Sequence, residues 1–492
     1  MILHPPRSLV KFAGQFLSWT ATFAPRHVQR ALPSIIAGIV LSASARRSLT
    51  AMGSEVFSAR RHKSTLSRML RDRRFRTRDM LMAASARAMR EMSPKGRTKV
   101  VEWLLALDGT AIQRGAHTRI KGAIEADRKP AKKGKRRKKG APRQNRRTDG
   151  VSKKGRRTKY ITLLLGSLTT HTGVRIPVGR YTCDPKDFNR QGRPRKVRQT
   201  QMDLAKLLIE RALSMLPEGV RLVVVADSYF ECEKLYGLAH RRGFVLITPT
   251  DSNRCFADEA TPNRSNGIRI RDYGLQLPEN SFRRLDLRRG SEKTACYRRY
   301  SARKAGPKDR RTYWLHHERR TVAGLGTVGV VYSWKTPVYE PRRTFGKKSF
   351  KILFCSDPTW NGERVVEWYE CRWTAIEILI RELKGQLGLD HYTGLSLEAL
   401  ERHVDLVLLS LLYLEMQRHR LTQDETAPRA VRDRAANART QGMQEIVRWE
   451  ANEAVVAAIR VSYRSERTRR RVKRFLRAMP SWMDVASDRR TA

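Results

Sequence analysis

Two apolar runs constrain the fold of this chain more than any other feature. Residues 100–107 read VVEWLLAL and residues 220–226 read VRLVVVA, and an aspartate, Asp108 or Asp227, follows each run directly. Near-continuous runs of this length are typical of strands buried on both faces of a sheet, which predicts an α/β fold. Because strand ends meet solvent and ligands, two carboxylates at two strand tips could share a divalent metal. Taken alone, Asp108 followed by Gly109 also fits an ordinary turn.

A third acidic position lies on a helix predicted over residues 365–389. Apolar side chains recur there at steps of three and four and form one packing stripe, made of Val366, Tyr369, Trp373, Ile376, Ile380, Leu383 and Leu387. Beside the stripe, within about 60° of one another, lie Glu370, Glu377, Arg381 and Lys384. These charges fit either a solvated edge with ordinary ion pairs or a site along a buried helix.

The charge balance indicates a polyanionic partner. The chain has 492 residues, and 101 Lys and Arg oppose 47 Asp and Glu, for a formal net charge of +54. That excess is far above what solubility requires, and it favours nucleic acid as the partner. We expect no membrane association, because the longest apolar candidate, residues 35–41, is too short to span a bilayer.

The N-terminus and the cysteines bear on the compartment. The first acidic residue is Glu55, so the N-terminus has the bias of an organellar transit peptide, but the same bias suits a DNA-contacting arm, which we favour. The six cysteines are dispersed along the chain. Their spacing predicts neither a zinc site nor a disulfide framework and indicates a reducing compartment.

Periodicity and composition divide the chain into regions. The predicted regions are a helical N-terminal DNA-binding region (1–97), an α/β core in two parts (98–249 and 351–420), a β-rich insertion (250–350) and a basic helical C-terminal region (421–492). Within the core the patterns predict a β-hairpin over 160–178, helices over 201–216, 231–242 and 400–416, and strands over 244–248 and 351–355.

Three features could contact nucleic acid. Residues 49–70 fit a weak helix-turn-helix pattern with a second helix capped by Ser64, although plain helix packing explains such a pattern more often. Residues 119–157 hold 18 Lys and Arg against three acids, which predicts a mobile phosphate-binding loop, with nuclear targeting as the alternative. Trp314 and Trp334 could stack on unpaired bases, but they fit the core of a small β unit better.

The three acids and their neighbours carry a resemblance to a known family. The chain resembles the DDE transposases of bacterial insertion sequences, in the insertion-sequence-four-like group marked by Tyr, two residues, Arg, three residues, Glu, six residues and Lys. The matching positions are Tyr369, Arg372, Glu377 and Lys384, together with LDGT at 107–110, VVADSYF at 224–230 and ELKGQLGLDHY at 382–392. The resemblance covers residues 104–412, and both termini lie outside it.

This resemblance implies a ribonuclease-H-like catalytic core, interrupted by the β-rich insertion, with Asp108, Asp227 and Glu377 as catalytic and metal-binding residues. They would hold two Mg²⁺ or Mn²⁺ ions for cleavage at the element's ends and transfer of the 3′-hydroxyl to target DNA. The DNA-contacting residues would be Tyr369, Arg372, Arg381 and Lys384. The resemblance also implies double-stranded DNA as the partner, with a homodimer bound to paired terminal inverted repeats and to target DNA. It implies a bacterial cytoplasmic protein at the nucleoid.

One departure from the family pattern makes a structural prediction. Four residues rather than three separate Arg372 from Glu377, which in an uninterrupted helix turns them roughly 140° apart. A π-bulge near residues 373–376 would restore their alignment; otherwise Arg372 has left the site. Glu370 and Glu382 are rival third ligands, but neither keeps the expected spacing to the lysine.

Two other functions remain compatible with the sequence. A catalytically inactive or repurposed transposase would bind nucleic acid without a metal. A different metal-dependent nuclease would keep both the metal and the fold. Metal-dependent strand transfer separates these three alternatives.

Overall fold

The two apolar runs form neighbouring parallel strands inside one large sheet. The computed structural model describes residues 18–25, 32–41, 70–72, 74–94, 100–114, 124–126, 158–183, 200–250, 253–258, 265–288, 310–335, 350–392, 396–438 and 440–462. The strands are β1 Val101–Arg114, β2 Ile124–Ala126, β3 Thr158–Thr169, β4 Arg175–Thr182, β5 Val220–Val225, β6 Val245–Pro249, β7 Arg283–Arg288, β8 Arg310–Val322, β9 Gly326–Trp334 and β10 Phe350–Cys355. The main helices are α1 Leu32–Leu41, α2 Thr77–Glu91, α3 Gln201–Met215, α4 Glu233–Arg242, α5 Ile270–Gln276, α6 Gly362–Arg372, α7 Ile378–Leu387, α8 Leu397–Gln423, α9 Arg429–Asn437 and α10 Thr440–Ser462. The predicted α/β class is confirmed.

Strand β1 is longer than predicted. Its residues 103–107 are fully buried, as expected of a central strand, but the strand continues through Asp108 to Arg114. The reason is that β3 pairs antiparallel with β1 from Leu104 to Arg114, whereas parallel pairing with β5 reaches only Ala106. The predictions of a strand tip or a turn at Asp108 are therefore wrong, and this aspartate lies just beyond the end of the parallel pairing.

The sheet combines a parallel centre with antiparallel flanks. Its order is β2-β3-β1-β5-β6-β10-β9-β8-β7, and β4 also pairs with β3. The β1–β5 and β5–β6 pairs are parallel, and the remaining pairs are antiparallel. Helix α4 connects β5 to β6, as parallel neighbours require a crossover.

The predicted elements between 160 and 248 are confirmed, with small differences at their ends. The hairpin is β3 with β4. Helix α3 starts where Thr200 and Asp203 form a reciprocal capping box, and α4 ends at Gly243, whose φ of 71° favours a residue without a side chain.

The predicted β-rich region extends the same sheet rather than forming a second one. Strands β7, β8 and β9 follow one another as antiparallel neighbours, and β9 pairs with β10, which in turn pairs with β6. Trp334 is buried with its ring centroid 4.6 Å from that of Phe350, and the partly buried Trp314 lies opposite it on β8. The interpretation of Trp334 as a core residue is confirmed.

Helix α8 covers one end of the sheet and collects the terminal helices. It is buried along most of its length, which confirms the apolar helix predicted over 400–416. Helix α2 is tied to it where the Thr77 hydroxyl donates to Asp405 at 2.8 Å. Gln444 of α10 donates at 3.2 Å to the carbonyl of Val40 in α1 and to that of Gln386.

Two arginines of β4 dock α8 through buried ion pairs. Arg180 contacts Asp405 and Glu401. Arg175 contacts Glu415 at 2.8 Å and Glu382 of α7 at 2.8 Å. The Arg175 guanidinium also donates to the Thr440 hydroxyl at 3.2 Å, so one side chain joins β4, α7, α8 and α10. Burial raises the pKa of Asp405 although Arg180 opposes the shift, so this carboxylate relies on its partners to stay ionised.

Several sequence predictions fall wholly or partly outside the described residues. The helix-turn-helix segment is described only at Leu70, the DNA-contacting arm only at residues 18–25, and the C-terminal region only to residue 462. Of the basic segment 119–157, residues 124–126 form β2 on the edge of β3, so the prediction of a loop is wrong for those three. The five described cysteines are free thiols. Among the described helices, none combines the length and apolar composition needed to cross a bilayer.

We predict that Arg175→Met destabilises the fold by about 3–5 kcal/mol, because it leaves buried carboxylates without this partner. The matched control is Arg87→Met, which removes an exposed ion pair with Glu91 and should change stability by about 0–1 kcal/mol. Urea midpoints of the two variants measure the difference. Equal midpoints would contradict a role of Arg175 in holding the helices together.

Candidate active site

The helix that carries the third acid is interrupted by a π-helical turn. Helix α6 begins at the Asn361 cap, whose side chain accepts a hydrogen bond from the Arg364 amide at 2.9 Å, and ends at Arg372. Residues Trp373–Glu377 form the π turn, in which the Ile378 amide donates to the Trp373 carbonyl five residues earlier. The predicted π-bulge is confirmed, and it absorbs the additional residue between Arg372 and Glu377.

The π turn brings the guanidinium of Arg372 against the carboxylate of Glu377. The Arg372 Nη1 atom donates to Glu377 Oε1 at 2.6 Å, although the two residues are five apart. The alternative that Arg372 had left this carboxylate is therefore wrong.

Asp108 reaches the same guanidinium from the sheet. Successive residues of a strand point to opposite faces of the sheet. Leu107 points toward α3, because a Cβ atom placed at Gly166 would contact both Leu107 and Leu208 of α3. Asp108 therefore faces α6, where its Oδ2 atom accepts from Arg372 Nη2 at 3.3 Å. Its other oxygen accepts from the Gly109 amide at 2.8 Å.

Asp227 completes the group from the end of β5. It caps the short 3₁₀ turn Ser228–Phe230, and its Oδ1 atom accepts from the Ser228 amide at 2.6 Å. Its Oδ2 atom lies 3.9 Å from Arg372 Nη2, an ion-pair distance. The three predicted acids thus surround one guanidinium, and we call Asp108, Asp227 and Glu377 the carboxylate cluster.

The carboxylate cluster is graded in exposure around a nearly buried cation. The Arg372 side chain is 11% exposed, against 19% for Asp108, 27% for Glu377 and 51% for Asp227. Burial, with added repulsion from the other two carboxylates, raises the pKa of Asp108 even though Arg372 and the Gly109 amide act to lower it. Burial alone would lower the pKa of Arg372, but the surrounding negative charges raise it, so the guanidinium stays charged.

The other predicted DNA contacts lie near this cluster without pairing to its carboxylates. Tyr369 is largely buried one turn before Arg372; burial is the main cause that raises its pKa to about 12, and the Lys351 ammonium lies 5.1 Å from its ring centroid. Lys384 donates to the Ala111 carbonyl at 2.8 Å and so ties α7 to β1 three residues beyond Asp108. Arg381 lies 6.0 Å from the ring centroid of Trp373.

Two aromatic residues near the cluster differ from what the sequence pattern indicates. Trp373 belongs to the predicted packing stripe, but it is 42% exposed because the π turn shifts it out of that stripe. Tyr229, for which the pattern makes no prediction, lies two residues after Asp227 with 57% exposure. The additional residue between Arg372 and Glu377 is the one sequence feature that indicates an irregularity at Trp373. The apolar run VVADSYF gives no indication that Tyr229 is exposed.

The rival acids occupy other surroundings. Glu382 is buried and accepts hydrogen bonds from Arg175 and from the Thr440 hydroxyl, both at 2.8 Å. Glu370 is also buried, on the last turn of α6. Neither forms an ion pair with Arg372 among the described residues.

The donor chemistry of the carboxylate cluster fits a hard divalent cation. Its acceptor groups are all carboxylate oxygens, which Mg²⁺ and Mn²⁺ prefer, and they already converge on one cation. As the side chains stand, however, the described residues contain no group of three or more His, Cys, Asp or Glu residues spaced to hold a metal. The Arg372 guanidinium lies among the oxygens that would have to close around an ion.

Comparison of the chain with models of known protein families gives no match. A search of curated proteins gives none either.

Stability should separate the roles of Glu377 and Glu382. Glu382→Gln weakens charge-assisted hydrogen bonds in a buried network and should lower the free energy of unfolding by about 1.5–3 kcal/mol. Glu377→Gln removes one of three mutually repelling charges at a partly exposed site and should change it by less than about 1 kcal/mol. Chemical denaturation of both variants makes the comparison, and a reversed order would show that Glu377 is the structural acid.

Proposed function

We propose that this protein is a metal-dependent DNA transposase of the DDE class, which cleaves the ends of an insertion sequence and joins the 3′-hydroxyl to target DNA. The observation that carries the proposal is the convergence of Asp108, Asp227 and Glu377 from two strands and one helix on a single cation. These acids are separated by more than a hundred residues in the chain at each step, so a local ion pair does not explain their meeting.

The sheet supports the fold part of the proposal. Strands β1, β3 and β4 form an antiparallel meander, and β5 and β6 add to the other side of β1 as parallel strands. The order β4-β3-β1-β5-β6 is the one expected of a ribonuclease-H-like core. Asp108 lies on β1, Asp227 lies just after β5, and Glu377 lies on a later helix. Acids at these three places agree with the family's use of that core.

The chemistry follows from the charges of these residues. The carboxylate cluster would hold two divalent ions, which when bound supply an activated water or 3′-hydroxyl and steady the leaving oxygen. Asp108, the least exposed of the three, would be one of the residues that hold these ions. Lys384 fixes β1 beside Asp108 through the Ala111 carbonyl, and Arg372 has the fork geometry that binds phosphate oxygens in pairs.

The formal charge supports DNA as the substrate and partner. An excess of 54 positive charges provides many phosphate contacts, and the helices α2 and α9 add exposed arginines such as Arg78 and Arg434 to the described surface. The homodimer on paired terminal repeats and a nucleoid location follow the same resemblance. A nucleic-acid-binding protein without catalysis shares the charge, so the metal decides between the alternatives.

Asp108→Asn and Asp227→Asn should each abolish Mg²⁺- or Mn²⁺-dependent cleavage of DNA carrying the element's ends, while DNA affinity stays nearly unchanged. Each change removes a metal ligand and leaves the phosphate contacts in place. The control is Asp203→Asn, a partly exposed capping aspartate that pairs with Lys234 outside the cluster, which should cleave normally. Cleavage that survives in either cluster variant would remove that aspartate from the proposed site, and cleavage absent from the unaltered protein would favour the binding-only alternative.

The basic segment should set the salt dependence of DNA binding. Residues 130–150 contain ten Lys and Arg, and replacing these with Ser at unchanged length should flatten the plot of log affinity against log salt by about 0.9 for each DNA phosphate that the segment neutralises. Replacing the same number of Ser, Thr, Gln and Asn residues elsewhere by Ala provides the control for sequence change alone. An unaltered salt slope would assign the segment to targeting instead.

A further inference from the structure

The arrangement around Arg372 has a property that the proposed chemistry does not use. The guanidinium contacts Glu377 through Nη1 and both aspartates through Nη2. Its Nε atom is buried and has no hydrogen-bond partner among the described residues. Among the described residues, the terminal nitrogens of Arg372 pair only with the three carboxylates of the cluster.

The charges explain what this contact does to the cluster. Three ionised carboxylates carry three negative charges, and Arg372 neutralises one and occupies an oxygen of each acid. A divalent cation entering the same space meets a weaker attraction and must displace a strong, charge-assisted contact. Arg372 thus competes with a metal ion for the same oxygens.

A phosphate offers the guanidinium an alternative partner of the same geometry. Arginine binds carboxylate and phosphate through the same planar fork, and both are oxyanions. Trp373, next to Arg372, is exposed and Asp227 is half exposed, so this side of the cluster is open to a ligand from solvent. Transfer of Arg372 from the cluster to a DNA phosphate would free the carboxylate oxygens without breaking the fold.

We infer that Arg372 is an internal stand-in cation, which closes the carboxylate cluster in the DNA-free protein and is exchanged for metal when a DNA phosphate takes the guanidinium. The inference rests on the proposed function, because it assigns a regulation to the same site. It makes DNA binding and metal binding mutually reinforcing, since each ligand removes the partner that opposes the other.

Direct metal binding tests the inference without any cleavage assay. Free Mn²⁺ is followed by its electron paramagnetic resonance signal during titration of the full chain, unaltered and as Arg372→Gln, with no DNA present. The variant should bind Mn²⁺ more tightly by roughly 5- to 150-fold, the range of typical coupling between two sites. Arg364→Gln on α6, which removes an exposed arginine paired with Glu102, is the matched control and should leave the affinity unchanged.

A second arm adds a short blunt-ended DNA duplex, with binding by the duplex alone subtracted. The duplex should tighten Mn²⁺ binding by the unaltered protein and have little effect on Arg372→Gln, in which no arginine remains to be exchanged. Arg372→Lys keeps the charge but places it on one nitrogen in place of the two that contact the acids, so it should lie between the two and covers the case that the Gln variant folds poorly.

The outcomes separate this inference from the proposed function. Mn²⁺ binding that disappears with Asp108→Asn but is the same with and without Arg372 would overturn the exchange and leave the metal site standing. Mn²⁺ binding that does not depend on Asp108 in any background would overturn both. Equal tightening by the duplex in the unaltered protein and in Arg372→Gln would overturn the exchange as well, because DNA would then act on the cluster by another route.

Discussion

The hydrogen bond from the Ile378 amide to the Trp373 carbonyl is the constraint on which the site depends. Helices α6 and α7 both bury an apolar side, including Val366 and Leu383; α6 packs on the sheet, and α7 packs on α8 and α10. One additional residue in a regular helix rotates everything after it by about 100°. Either the apolar side would then turn away from its packing partners, or Glu377 would turn away from the carboxylate cluster. The π turn takes up that residue locally, and the displaced side chain is Trp373, which moves into solvent. The helix is therefore irregular at the position where its charged residues must meet the sheet, as π turns commonly are at functional sites.

A second constraint fixes the helix after the π turn. Glu382 lies five residues beyond Glu377 and joins Arg175 of β4 and Thr440 of α10 in a buried network that also contains Glu415 and Arg418. The two glutamates on neighbouring turns of one helix thus have different surroundings, one held among buried partners and one presented to the carboxylate cluster. A site whose supporting residues are locked in this way keeps its geometry better than one carried by loops. The buried pairs define the position of α7, although burying them gives little net stability by itself.

The sequence was sufficient for the parts of the fold that follow from local pattern. Apolar runs located β1 and β5, and helical spacing located α3 and α8. The π turn was one of two alternatives that followed from comparing the spacing between Arg372 and Glu377 with that of the resembled family. The sequence was insufficient where a distant partner decides. Strand β1 passes through Asp108 because β3 pairs there, and no feature of residues 108–114 reveals that partner. The same holds for Arg175 and Arg180, which read as two more arginines in a very basic chain until the acids of α7 and α8 are placed beside them.

The opposing electrostatic demands on this chain meet at Arg372. A protein that binds DNA through phosphates must be positive over its surface, whereas a site that holds divalent metal must gather negative charge at the point where the phosphate is to react. Three carboxylates close together repel one another, and burial together with that repulsion raises the pKa of Asp108. An arginine among them relieves that repulsion in the free protein, and a lysine would do so less well, because the guanidinium spreads its donors over separate nitrogens, one facing Glu377 and one facing the two aspartates. The same fork is suited to a phosphate. One side chain can therefore stabilise the cluster before DNA arrives and contact the substrate afterwards, provided that it stands on the helix that carries Glu377 and at the spacing that the π turn creates.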